Sequence, residues 1–165
     1  MSRPRIAAAV LALAVAVALP LALSGCAAPT PSPGRSSEPL AEKSGSGEVR
    51  HDLEPLTSRF PQLANAESAT WLSGSLGDDR VPGPALKWID AVVTLPAADM
   101  AALRESYALA PADAAPRVVE ALEPELPTSL LAADGLDAAF SADGFESRVY
   151  LAGSADTLVL VTVFE

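Results

Sequence analysis

Ala85-Leu86-Lys87-Trp88-Ile89-Asp90-Ala91-Val92-Val93-Thr94-Leu95, bounded by Pro84 and Pro96, has the two-residue alternation of a β-strand. Ile89, Ala91, Val93 and Leu95 fall on one face, and Leu86, Trp88, Asp90 and Val92 on the other. Both faces are largely apolar. Two short helices can cover only one face of a sheet built on this strand.

On its N-terminal side, Ser68 to Ser75 alternates around Trp71, and the turn-rich Gly77-Asp78-Asp79-Arg80-Val81-Pro82-Gly83-Pro84 joins the two stretches as an antiparallel pair. Near the C-terminus, Glu146 to Ala152 and Thr157 to Phe164 are rich in Val, Leu, Tyr and Phe around Gly153-Ser154-Ala155-Asp156, a hairpin signal. There Val149 and Leu151 oppose Arg148 and Tyr150, and Val159, Val161 and Val163 oppose Leu158, Leu160 and Phe164.

Between the pairs the period changes. Met100, Leu103 and Tyr107 predict one short helix, and Val119, Leu122 and Leu126, after Pro116, predict a second that Pro124 and Pro127 weaken or end. His51 to Phe60 begins with a short helix, Pro55 near its first turn. Thr128 to Gly144 fits no single period, with Asp134-Gly135 and Asp143-Gly144 marking turns. The expected fold is α+β: a small antiparallel sheet of about four strands in ββααββ order, with two short helices packed on one face. Ala133-Asp134-Gly135-Leu136 echoes Ala142-Asp143-Gly144-Phe145, but two copies do not make a solenoid.

The chain has 165 residues, 21 acidic and 11 basic side chains, one cysteine and one histidine. One cysteine forms no internal disulfide, and one Cys with one His falls short of the four ligands of a structural zinc site. A formal charge of -10 gives no basic footprint for a phosphate backbone, so nucleic acid is not an expected partner.

Residues 1–25 have the layout of an export signal: Arg3 and Arg5, an apolar run from Ile6 to Leu23, then small residues. The run is about long enough to cross a bilayer as an uncleaved anchor, but Pro20 breaks it and no basic stop-transfer residues follow. Leu23-Ser24-Gly25-Cys26 resembles the lipobox of bacterial lipoproteins. The resemblance implies a diacylglycerol thioether on Cys26, cleavage before that residue and acylation of the new amino group. Two acyl chains give stable attachment where one does not. The expected location is the outer face of the cell membrane, or an outer membrane where the source has one, since Ala27 and not aspartate follows Cys26.

Residues 26–47 are mostly Ala, Pro, Ser, Gly, Glu and Lys, with Leu40 the one sizeable apolar side chain, and read as a flexible tether. Residues 48–165 read as a single domain. After loss of the signal, 9 basic face 21 acidic side chains, a charge of -12 that repels anionic headgroups or simply keeps the domain soluble. Pro82-Gly83-Pro84 through Trp88-Ile89-Asp90 is similar to stretches in uncharacterised secreted proteins of GC-rich bacteria, which implies no activity.

Catalytic chemistry has little to build on. His51, the one imidazole, stands beside Asp52 at the end of the tether, and Ser73-Gly74-Ser75-Leu76-Gly77 lacks the first glycine of a nucleophile elbow. Asp134, Asp137 and Asp143, like Asp78-Asp79, fit no EF-hand spacing. No catalytic residue, metal ligand or cofactor is assigned. The expected site is the face carrying Trp88, Asp90, Arg148 and Tyr150, an aromatic surface with one charge of each sign suited to a peptide, protein or small-molecule ligand. The reading preferred over it is that the loop Gly77 to Pro84 or the first helix closes this face, with Asp90 and Arg148 an ordinary ion pair. The expected function is that of a lipid-anchored binding module without catalysis. The rivals are an accessory component of an envelope complex and a small carboxylate-dependent hydrolase.

Overall fold

The computed structural model describes residues 43–44, 47–77, 86–141 and 144–165, all within one compact unit, Glu38–Glu165. The two expected strand pairs are its longest strands: β2 (Ser68–Leu76) with β3 (Lys87–Thr94), and β6 (Phe145–Ala152) with β7 (Thr157–Phe164). Three short strands join them: β1 (Lys43–Ser44), β4 (Ala110–Pro111) and β5 (Leu130–Ala132). The result is one seven-stranded sheet in the order β1-β2-β3-β7-β6-β5-β4, antiparallel at every pairing. The fold is α+β as expected, with more strands than the expected four. The short strands, of two or three residues, are too short for alternation to be read in sequence.

β3 and β7 pair along their full lengths, so the last hairpin docks on the first through Ala91↔Leu160 and Val92↔Val159. The predicted alternation holds across the sheet. Ile89, Ala91, Val93, Val149, Leu151, Leu158 and Leu160 enter one core, and Trp88, Val92, Tyr150 and Val159 the other. Small residues make room for large ones: Ala91 lies across from Trp71, and Gly74 across from Trp88.

The first core is covered by α1 (Glu54–Thr57), α2 (Ala97–Ser106), α3 (Asp134–Phe140) and the 3₁₀ turn Pro61–Leu63. They contribute Leu56, Leu63, Met100, Leu136 and Phe140. Phe60, between α1 and the turn, stacks on Phe140 at 6.1 Å and meets Phe145 edge-on at 5.2 Å. α1 and α2 form where the sequence places them. α3 does not follow expectation: Asp134-Gly135 opens a helix instead of making a turn, and Leu136 and Phe140, four apart, give it the apolar stripe that buries it. Of the second expected turn, Asp143 lies outside the described residues, while Gly144 has φ +85°, a left-handed conformation suited to glycine, just before β6.

On the side away from β7, residues 145–149 of β6 have no strand neighbour, because β5 pairs only with residues 150–152. The end of α3 occupies that edge. The Val149 and Ser147 amides donate to Asp137 Oδ1 (2.8 Å) and Ser141 Oγ (2.9 Å), the Ser147 hydroxyl donates to the Phe140 carbonyl (2.7 Å), and Arg148 clamps Asp137 at 3.1 Å. Side chains thus satisfy backbone groups that would otherwise invite another strand.

The first helix, one of the two expected covers, packs on the other core; among the described residues the second core is covered by the segment 112–126. The helix expected around Val119, Leu122 and Leu126 is a 3₁₀ turn, Glu120–Glu125, set in an otherwise extended segment, because Pro124 lies inside it and removes a donor. Ala112, Val118, Val119, Leu122 and Leu126 of this segment pack on Leu72, Trp88, Val92, Tyr150 and Val159. The loop Gly77 to Pro84 lies outside the described residues beyond Gly77. Leu122 is fully buried. Leu122→Ala should therefore lower stability in urea denaturation by about 2–5 kcal/mol; a loss below about 1 kcal/mol would mean that the 112–126 segment does not seal the face.

Candidate functional site

The residues expected to form an open aromatic surface are placed otherwise. Trp88 and Asp90 are 0% exposed and Tyr150 9%, all beneath the 112–126 segment. The Trp88 indole N–H donates to the Ser75 carbonyl at 3.0 Å. Arg148 does not pair with Asp90. In register, Val161 stands between them, so they lie two strands apart, about 10 Å. Arg148 turns to Asp137 and remains half exposed. This face is core, and Trp88, Asp90, Arg148 and Tyr150 do not line a common opening.

What occupies its centre is a polar junction. Lys43 Nζ donates to both Asp90 carboxylate oxygens at 2.6 Å and to the Arg117 carbonyl at 2.8 Å, and the Val119 amide donates to Asp90 Oδ2 at 2.8 Å. The same ammonium lies 5.3 Å from the Trp88 ring centroid, within cation–π range. One carboxylate thereby ties β1, β3 and the covering segment together. Lys43 and Ser44, expected within the tether, are in fact part of the sheet. Composition concealed this, since a two-residue strand held by one ion pair needs no apolar run.

Burial pushes the Asp90 carboxyl above its ordinary value of 3.8, against the opposing pull of the Lys43 charge, the Lys43 hydrogen bonds and the Val119 amide. The raised group takes up a proton more readily when folded. Its contribution to stability is therefore full below about 3.8 and is lost as pH rises through the raised folded value.

On the helical face, beyond α1, β2 and β3 border a solvent-open cleft of about 320 Å³. Its cations are Arg50, Arg59 and Lys87, and Pro55, Ile89 and Phe164 supply apolar wall. Among the described residues no carboxylate lines it. Arg50 is fixed from three directions: it forms a bidentate pair with Asp52 (3.0 and 2.5 Å), its guanidinium carbon sits 4.1 Å from the Trp71 ring centroid, and its backbone exchanges two 2.9 Å hydrogen bonds with Trp71. The guanidinium holds the exposed Asp52 carboxyl below its ordinary value. Arg59 donates to the Pro55 carbonyl at 2.7 Å. Lys87 is placed by register, directly across from Ser75 on one side and Phe164 on the other, and forms no ion pair among the described residues. No spacing rule links positions 50, 59 and 87, so this cluster was invisible in sequence.

His51 is exposed, and its ring Nδ1 lies 3.1 Å from the Ala69 carbonyl, to which it donates. Among the described residues no group of three or more His, Cys, Asp or Glu could hold a metal ion, and no helix is long and apolar enough to cross a membrane. Cys26, Asp78, Asp79 and Asp143 lie outside the described residues. No protein-family model matches the chain, and no curated protein and no solved structure matches it either.

Removing Lys43 leaves a buried carboxylate without its cation. Lys43→Met should cost about 3 kcal/mol near pH 7 and less near pH 4, where Asp90 can neutralise itself by taking a proton. Chemical denaturation at the two pH values checks this, and an equal cost at both would show that the loss does not come from an unpaired Asp90 charge.

Proposed function

We propose that the chain is an extracytoplasmic lipoprotein, held to the outer face of a membrane by acylated Cys26, whose α+β domain acts by binding and not by catalysis. The observation that carries the anchor is Leu23-Ser24-Gly25-Cys26, a full lipobox pattern directly after a basic start and an apolar run, in a chain whose one cysteine falls there. The binding reading draws on the cleft, which presents cations and apolar wall and, among the described residues, brings no imidazole, carboxylate pair or thiol to one point. General acid–base and nucleophilic chemistry need such groups within hydrogen-bond reach of each other. Arg50, Arg59 and Lys87 can hold and orient an anion but are poor proton carriers at neutral pH.

Expression of the full chain and of Cys26→Ser in a bacterial host with a lipoprotein pathway tests the anchor. The wild type should partition into the detergent phase and show, by intact-mass measurement, cleavage before Cys26 plus acyl mass, whereas Cys26→Ser should lack the acyl mass and stay out of that phase. Identical partition and identical precursor mass in both would overturn the anchor.

A further inference from the structure

We propose that the cleft lined by Arg50, Arg59 and Lys87 is the binding site of the domain, and that its ligand is a small organic anion with a carboxylate or phosphate head on an apolar body. The proposal rests on the binding reading above and names its ligand class.

Three features combine. The first is the sign of the cleft: in a chain of formal charge -10, three cations line one opening, with no acidic side chain among the described residues of its lining. Asp52 offsets Arg50, and among the described residues Arg59 and Lys87 have no ion-pair partner. The second is pre-organisation. Arg50 is stacked on a buried indole, and the Asp52 pair holds its Nε and Nη2 atoms, so the guanidinium keeps a fixed direction. A fixed guanidinium loses less rotamer freedom on binding than a free surface arginine. The third is the wall. Ile89 and the partly exposed Phe164 and Pro55 give an apolar lining beside the charges, and about 320 Å³ falls at the small end of ligand sites. An inorganic ion would leave that wall bare. A neutral apolar molecule would leave the ammonium and guanidinium groups without partners.

The test uses the mature chain from residue 26 onward carrying Cys26→Ser, which is soluble because it cannot be acylated, and titrates it by calorimetry with octanoate, octyl phosphate, octanol and octylammonium. At least one of the two anions should bind saturably at one site per chain, and at least tenfold more tightly than octanol or octylammonium. Arg59→Ala with Lys87→Ala should weaken the anion at least tenfold, whereas Arg117→Ala, an exposed cation outside the cleft, should leave it unchanged. Thermal melts establish that each variant is folded; should the double variant fail to fold, Lys87→Gln alone takes its place, with a loss of at least threefold expected. Absence of saturable binding by both anions, equal binding of octanol, or an unaltered affinity in the folded cleft variant would overturn the proposal. That failure is separable from failure of the binding reading. If native mass spectrometry of the same preparation shows a different small molecule carried through purification, the domain still binds and only the ligand class is wrong.

Discussion

A sheet that is apolar on both faces has to be covered twice, and everything else in this domain follows from how the two covers differ. One is conventional: three short helices and a 3₁₀ turn lay leucines and phenylalanines on the row Trp71, Ala91, Leu160 and Val149. The other is a proline-rich, mostly extended segment that has too few backbone hydrogen bonds of its own to hold a shape. It is held instead by what it touches. Leu122 fills the apolar side of the contact, and the Val119 amide and Arg117 carbonyl meet Asp90 and Lys43 on the polar side. A buried carboxylate costs free energy to desolvate, and its pairing does not repay that cost in full, as the upward shift of the Asp90 carboxyl shows. Its contribution is positional. An apolar residue at 90 would pack as well but would leave the Val119 amide and the β1 ammonium without a destination.

The division between what could and could not be read in the sequence has the same origin. Residues 85–95 and 145–164 announce their strands because alternation over eight or more residues is a strong signal, and their faces are correct residue by residue, from Ile89 and Val92 to Val149 and Val159. α1 and α2 were visible through Pro55 and through Met100 and Leu103. The covering segment was not, because Val119, Leu122 and Leu126 mimic helical spacing while Pro124 denies the helix. The sequence pairs Asp90 with Arg148 because the two share a face, and face alone says nothing of the strand inserted between them.

Lys43 shows the limit of composition more sharply. The stretch around it has the make-up of a solvated linker, and all but two of its residues from 26 to 46 lie outside the described part of the chain. Yet the Lys43 ammonium reaches a carboxylate in the middle of the sheet, 47 positions away. The low apolar content of a segment bears on whether it can form a core of its own. It does not bear on whether a single residue completes a core built elsewhere. Gly47 makes the same point sterically: a Cβ there would come within 2.4 Å of the Ser73 carbonyl oxygen, so the chain lies against β2 at a distance that only glycine allows.

The cleft raises a question of sign, since an anion drawn to it has to approach a protein with nearly twice as many acidic as basic side chains. Distance settles it. At physiological ionic strength charges more than about 8 Å away are largely screened, so carboxylates spread over the remainder of the surface act weakly on a ligand already at the opening. Arg59 and Lys87 act within a few ångströms, beside apolar side chains that lower the local dielectric and raise the strength of each contact. Net charge therefore governs encounter, slowing it for any anion, and local charge governs retention. Anions without an apolar portion gain little from Phe164 and Ile89 and face the same slow encounter, so the acidic surface and the apolar wall together favour amphiphilic anions over inorganic ones.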